Sequence, residues 1–197
     1  MKVRDSGMPS EDSWERFFDA SAALAALSFP TGKAEVVDFG CGYGTFTTAA
    51  ASLTTGIVYA LDIEPSMIRA TTLRAGSLGL TNVRPVERDF VSSGSGLPSE
   101  SVDYAMLFNI LHAEDPLTLL LEAFRILRPH GKVAVMHWIH DRNTPRGPDL
   151  SIRPRPEECR KWMQRAGFTL LVREVPLPPY HYGIVGQKQS DPRLRQP

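Results

Sequence analysis

From residue 35 onward, short apolar runs alternate with segments whose apolar residues recur at helical spacing. That alternation builds parallel strands joined by crossover helices. Strands are predicted over residues 35–39, 57–62, 83–88, 102–108, 132–138, 169–175 and 182–187. Helices are expected over 45–53, with an alanine-rich face that can lie close to a sheet, and over 64–78, where Pro65 suits a first turn whose amides have no helical partner. Asp115-Pro116 marks another helix start, and Leu117, Leu120, Leu121, Phe124 and Leu127 give it one buried face before the Pro129-His130-Gly131 turn. A helix over 156–166 stops at Gly167, suited to the left-handed C′ position. Upstream, residues 13–27 read as one amphipathic helix within a lid, 13–30, laid over one end of the sheet. Residues 92–101 and the Pro- and Arg-rich stretch 139–155 have no period and are expected as loops, and the residues beyond 188 as a flexible tail.

Composition narrows the class. A chain of 197 residues, 42% hydrophobic and 22% charged, suits one globular domain, 1–188, without metal or disulfide staples. Lysine plus arginine equals aspartate plus glutamate at 22 each, so no overall field draws in a polyanion and a nucleic-acid partner is not expected. Cys41 and Cys159 match no zinc or redox spacing and read as free thiols in a reducing compartment. No apolar run approaches the roughly 20 residues of a membrane helix, and no leader segment with a basic flank and cleavage site is read. A cytoplasmic protein without membrane insertion is the expectation.

In an open parallel sheet the ligand crevice lies beyond the carboxyl ends of the strands, so what terminates each strand carries the chemistry. Strand one ends in Gly40, Gly42 and Gly44, strand two in Asp62, strand three in Asp89, strand four in Asn109 and strand five in His137-Trp138. Glycines at alternate positions let backbone approach a ligand where a Cβ would collide, and the amides of the following helix start favour an anionic group. A carboxylate about 20 residues beyond the loop can accept both hydroxyls of a ribose, the role read for Asp62. A further carboxylate, Asp89, can accept from an exocyclic adenine amine. Together they specify an adenosine bearing a short charged substituent.

The run Val36-Val37-Asp38-Phe39-Gly40-Cys41-Gly42-Tyr43-Gly44 resembles the first motif of class I S-adenosylmethionine-dependent methyltransferases. Ala60-Leu61-Asp62-Ile63 with Met67 is similar to the second, Glu87-Arg88-Asp89-Phe90 to the third, and 101–104 with Asn109-Ile110-Leu111-His112 to the fourth. The turn 127–132 and the helix end 165–168 fit the same order. The resemblance covers roughly residues 13–188 and is closest to the small-molecule branch that includes the ubiquinone and menaquinone biosynthesis methyltransferases. It implies a doubly wound, seven-stranded, mostly parallel sheet whose last strand is antiparallel. It also implies S-adenosyl-L-methionine as cofactor, S-adenosyl-L-homocysteine as product, and cofactor contacts at Asp38, Gly40, Cys41, Gly42, Gly44, Asp62, Ile63, Met67, Asp89, Phe90 and Asn109.

A nicotinamide dehydrogenase shares the glycine loop and the ribose acid, but here the spacing is G-x-G-x-G, with Thr at position 45 where the dinucleotide fingerprint places glycine. Asp38 suits a cationic amino group, and Asp89 has no task with a pyrophosphate. A protein that binds the cofactor without transferring a methyl group, as a regulator or partner subunit, is the other alternative, since fold and binding motif do not decide it.

On the acceptor side, His112 is a candidate general base, against a packing histidine. Trp138 and Arg146 are candidate substrate contacts, the latter among Arg142, Arg153 and Arg155 in the irregular segment, where a solvated linker is the plainer reading. His137 and His140 are spaced three apart, but with no carboxylate in a ligand pattern no metal is predicted. No Asn-Pro-Pro-Tyr follows strand four and no cysteine follows strands four or five, against transfer to nucleic-acid bases. The expected reaction is in-line methyl transfer to an oxygen, nitrogen or carbon nucleophile of a small molecule, resting mainly on alignment.

Overall fold

The structure, a computed structural model, describes residues 9–190. Its sheet has strands β1 (Val36–Phe39), β2 (Val58–Asp62), β3 (Val83–Glu87), β4 (Val102–Phe108), β5 (Leu127–Trp138), β6 (Phe168–Leu177) and β7 (His181–Lys188). They lie in the order β3-β2-β1-β4-β5-β7-β6, and only β7 runs antiparallel to its neighbours β5 and β6. The doubly wound, mostly parallel sheet with an antiparallel last strand is the fold the sequence implied. β1 is buried along its whole length and pairs with β2 on one side and β4 on the other, so the order reverses there. Both edge strands carry a proline, Pro85 and Pro176, tolerated where no further strand needs an amide.

Side-chain alternation divides the core in two. Val36, Ala60, Tyr104, Met106, Ala134 and Met136 face helices α2 (Ala20–Ala26) and α3 (Thr45–Leu53), with α4 (Pro65–Ser77) farther along the same face. Val37, Phe39, Leu61, Ala105, Leu107 and Val135 face α6 (Pro116–Ile126) and α7 (Pro156–Arg165). Pro116 begins α6 after Asp115, whose carboxylate accepts from the Thr118 amide, as the N-cap reading requires. Helix α6 ends at Ile126, earlier than its apolar spacing suggested. Pairing resumes at Leu127, and the Pro129-His130-Gly131 turn bulges out of β5, with His130 at φ 66°. The short helix α5 (Phe90–Ser93), which carries no periodic signal, is capped by Asp89.

The single helix expected over 13–27 is corrected to two: α1 (Glu11–Glu15) and α2, separated by a turn at 16–19. Asp19 causes the break, because its carboxylate accepts the Ala22 amide at 2.9 Å and starts α2 afresh. A continuous helix would hold Phe17 and Phe18 about 100° apart. In the turn both rings reach Trp138, at centroid distances of 5.3 and 6.5 Å. Arg74 of α4 pairs with Glu11 and Glu15, and Tyr43 donates to the Pro9 carbonyl at 2.8 Å, which docks α1 beside the glycine loop. Of the tail expected over 189–197, residues 191–197 lie outside the described residues. Among the described residues no helix is long and apolar enough to cross a membrane.

Thr54 closes the return from α3 to β2. Its Oγ accepts from the Ala34 and Gly56 amides at 2.9 and 3.0 Å, with the Gly32 and Ala34 carbonyls each 2.8 Å away for its own hydrogen. A Cβ on Gly56 would lie 2.1 Å from the Ala34 carbonyl oxygen, which is backbone and cannot rotate away. Gly56→Ala is therefore expected to lower stability by about 1–3 kcal/mol or more, read from urea unfolding midpoints, with Thr55→Ala at the exposed neighbouring position changing little.

Candidate active site

Strand β1 releases the chain into a loop folded against the end of β2. The Gly40 and Cys41 amides donate to the Leu61 carbonyl at 2.8 and 3.0 Å. The Gly42 amide donates to Asp62 Oδ2 at 2.9 Å, while Asp62 Oδ1 accepts from the Glu64 amide at 2.9 Å. Gly40, Gly42 and Gly44 have φ of 75°, 54° and 79°, the left-handed region where a Cβ is strained. At Gly44 the space is also taken, since a Cβ there would meet Thr71 Oγ1 at 2.9 Å. From α4, Thr71 donates to the Gly42 carbonyl at 2.9 Å and lies 3.5 Å from Cys41 Sγ. The loop is thus pinned from β2 and α4 with its own backbone turned to the crevice.

Asp38 lies below this loop, 2% exposed, and accepts from Thr47 Oγ1 of α3 at 2.6 Å. Burial raises its carboxyl to about 7, with nearby Asp62 adding to the rise and Thr47 opposing it. Burial also raises Asp62, against the pull of the Glu64 and Gly42 amides. Two carboxylates thus stand under one loop with no cation against either among the described residues, an arrangement completed by a positively charged ligand.

Asn109 ends β4 at φ 57°, its amide held by the Met136 carbonyl at 2.8 Å. Both polar atoms of its side chain are buried without a partner, and so is Thr45 Oγ1 at the start of α3. Such groups cost roughly 1–3 kcal/mol each unless a ligand or water meets them. Phe90 packs edge-on to Phe39 at 5.4 Å and is the next neighbour, after Ile110, of a Cβ built on Gly40. Met67 is buried and Ile63 half-buried past Asp62. Asp89 accepts from the Ser92 amide and hydroxyl at 3.0 and 2.9 Å, so the acid read as an adenine acceptor also caps α5. The glycine cradle, the twice-anchored Asp62 and the unpartnered Asn109 fit a nucleoside cofactor with a cationic substituent.

Past Asn109, His112 Nδ1 lies 3.3 Å from Nε2 of His137, which is fully buried on β5. Burial lowers His112 to about 4 and His181 to about 3, with Arg153 assisting at both, and burial lowers His137 as well. Trp138 is 2% exposed, against Phe17, Tyr180 and the His181 ring, the last at 4.2 Å. Arg142, Arg146 and Arg155 are exposed. Arg153 is buried, and its guanidinium is spent on the Ile139, Asp141, Arg146 and Pro148 carbonyls and on Thr144 Oγ1. It is a staple for the 139–155 segment, neither solvated linker nor anion clamp. Gly147 passes between it and Trp138, where a Cβ would come within 2.7 Å of Arg153 Nη2 and 3.0 Å of Trp138 Cγ. His140 meets the Leu150 carbonyl at 3.0 Å. No group of three His, Cys, Asp or Glu that could hold a metal ion occurs among the described residues, and Cys41 and Cys159 are buried free thiols.

Residues 36–131 match a family described as a methyltransferase domain. The matched stretch, just under half of the chain, is similar to that domain. A methyltransferase described as S-adenosylmethionine-dependent, from Aquifex aeolicus, superposes with a TM-score of 0.78 over 94% of this chain and 96% of its own, at 23% identity, a likeness of fold. A ribosomal protein L11 methyltransferase of Methylococcus capsulatus is 38% identical over 103 residues, which are 52% of this chain and 32% of that protein. A demethylmenaquinone methyltransferase of a Geobacillus species is 27% identical over 116 residues, 57% of this chain and 48% of that protein. The chain thus spans about a third to a half of the length of these curated relatives.

Sequence reasoning did not reach Thr47 or Thr71, since a threonine inside a helix carries no positional signal, and it set His112 beside His137 only as a metal alternative that it rejected, whereas the two rings meet at 3.3 Å. For Asp38 the linkage has a definite sign. Its folded value of about 7 exceeds the unfolded 3.8, so its protonation stabilises the fold below pH 3.8, and that contribution is lost as pH rises through about 7. Asp38→Asn, which keeps an acceptor for Thr47 without the charge, is expected to be more stable than the parent at pH 8 by up to ~4 kcal/mol. The gap should close toward pH 4 in thermal unfolding followed across pH.

Proposed function

We propose that this protein transfers a methyl group from S-adenosylmethionine to an oxygen, nitrogen or carbon nucleophile of a small-molecule acceptor, leaving S-adenosylhomocysteine. The observation that carries the reading is Asp62, locked by two backbone amides at the end of β2 beside a loop of left-handed glycines. The cofactor supplies a methyl group already activated on a sulfonium. What remains for the protein is binding, alignment and exclusion of water.

In this reading Asp62 accepts from the ribose hydroxyls, Ile63 and Met67 flank adenine, and Asp89 with Phe90 closes the far side. Gly40, Cys41, Gly42 and Gly44 present backbone to the amino-acid moiety, with the Asp38 charge beneath it offsetting its ammonium. The Asn109 amide gives its unmet hydrogen bonds to ligand at the switch point. His112 takes the acceptor's proton as the new bond to the methyl carbon forms and the carbon–sulfur bond breaks. A hydroxyl oxygen that has just been alkylated is an oxonium, a strong acid, so for an oxygen acceptor a histidine of low basicity suffices. Arg146, exposed in the 139–155 segment, is assigned to the acceptor, with Trp138 backing the aromatic wall.

Removing the Asp62 carboxylate deletes charge-assisted hydrogen bonds worth about 1.5–3 kcal/mol each. Asp62→Ala is expected to weaken S-adenosylmethionine binding at least ~10-fold by calorimetry, and Gly42→Val likewise, while both variants keep their circular dichroism spectra. Wild-type affinity in both would overturn the assignment of the cofactor site. A screen of metabolite pools for methyl uptake from isotopically labelled cofactor, with the product identified by mass spectrometry, tests transfer itself. Binding without uptake into any pool would favour a regulatory subunit.

A further inference from the structure

Behind the turn at 16–19 lies a histidine that the methyl-transfer reading leaves unused. His181, the first residue of β7, is 3% exposed, and neither of its ring nitrogens meets a hydrogen-bond partner among the described residues. A neutral imidazole carries one N–H and one bare lone pair, so a donor and an acceptor are both left unmet at a cost to the fold. The ring lies against Trp138 at a centroid distance of 4.2 Å and against Phe18 at 4.6 Å. From Phe18 the rings continue to Phe46, in the first turn of α3, at 5.2 Å. Thr45 stands between Phe46 and Gly44, and its buried hydroxyl also has no partner. An aromatic cluster thus runs from the glycine loop to the start of β7 with a hydroxyl unmet at one end and an imidazole at the other. Apolar walls with a few unsatisfied polar groups are the make-up of a small-molecule site.

The cover over these rings is held less firmly than what lies beneath it. Helix α2 is anchored by fully buried Leu24 and, just past its end, by Leu27, whose carbonyl accepts from the Tyr104 hydroxyl at 2.8 Å. Helix α1 has no buried residue, and Phe17 and Phe18 are only half-buried. It is tied to the domain through Arg74 with Glu11 and Glu15, and through Tyr43 with the Pro9 carbonyl. Partly exposed ion pairs of this kind contribute little in water. Because Asp19 starts α2 independently of α1, residues 9–18 can turn about it while α2 stays docked. That movement would take Phe17 and Phe18 off Trp138 and His181.

We infer that the space behind Phe17 and Phe18 is a ligand subsite opened by the 9–18 segment, anchored by His181, and shaped for an uncharged flat ring bearing a hydroxyl or carbonyl. That the ligand is the methyl acceptor rests on the proposed function; that the subsite binds such a ring does not. The incoming ring takes the place of Phe18 against Trp138 and His181, and its polar group meets a His181 nitrogen. An ion gains nothing there. The Arg153 guanidinium is saturated by carbonyls, the Asp19 carboxylate caps α2, and burial keeps His181 itself neutral, lowering it to about 3.

Titration of the full chain with phenol, toluene and benzoate tests this, followed by the imidazole resonances of His181 and the indole resonance of Trp138. Phenol is expected to shift both saturably and to bind at least ~5-fold tighter than toluene, which lacks the hydroxyl, or benzoate, which is charged. These three titrations need no variant. In His181→Phe the preference for phenol over toluene, read on Trp138, should vanish, and His181→Gln, which keeps a donor and an acceptor, should retain it. Arg74→Gln frees α1 and should tighten phenol binding, because less of the binding energy goes into opening. The subsite is overturned by the absence of a saturable shift in both the parent and Arg74→Gln, by benzoate as the tighter ligand, or by an undiminished phenol preference in folded His181→Phe. Unchanged phenol affinity in Arg74→Gln overturns the opening of the 9–18 segment. Calorimetry with S-adenosylmethionine on the same samples separates the two readings: parent protein that binds phenol but not the cofactor speaks against methyl transfer alone, and the reverse speaks against the subsite alone.

Discussion

The bond from the Gly42 amide to the Asp62 carboxylate ties the first turn after β1 to the last residue of β2, and the rest of the site is arranged around it. Two parallel strands side by side leave their carboxyl ends as unrelated chain exits. Here the exit of one strand becomes the hydrogen-bond partner of the other, so loop and acid are presented as a single surface. Thr71 and Thr47 brace that surface from two helices of the same face, and the carboxylate is left with lone pairs directed away from both amides. The cost is two acids close together in a poorly solvated place. This explains why the site is electrostatically incomplete on its own.

The acceptor side is organised differently. Where the cofactor side relies on backbone turned outward, the ends of β4, β5 and β7 are sealed by side chains: the aromatic group of Phe17, Phe18, Trp138 and Tyr180, and the buried histidines below the stapled 139–155 segment. Neutral imidazoles and a guanidinium saturated by carbonyls make this a polar region without a free charge from Arg153.

The sheet was legible because its inner strands are buried on both faces, and buried strands read as unbroken apolar runs; the bounds of β4 coincide with the run 102–108. The glycine spacing and Asp62 were legible because backbone conformation and ligand chemistry both restrict residue type there. The lid was misread as one helix because amphipathic spacing continues through Asp19, and a capping aspartate is visible only once the Ala22 amide is known to donate to it. Arg153 was grouped with exposed arginines for a similar reason. Sequence shows a guanidinium but not the five oxygen acceptors that a folded loop turns inward.

Gly147, threaded between Arg153 and Trp138, sets a limit on variation in the 139–155 segment. The inner half of the segment is committed to one backbone path, so its length and small residue are fixed by packing. The outer residues Arg142, Asn143 and Pro145 are exposed. Diversification of acceptor choice, by natural drift or by directed evolution, has a ready-made site at that tip: libraries confined to it would sample new recognition chemistry without disturbing the anchor beneath.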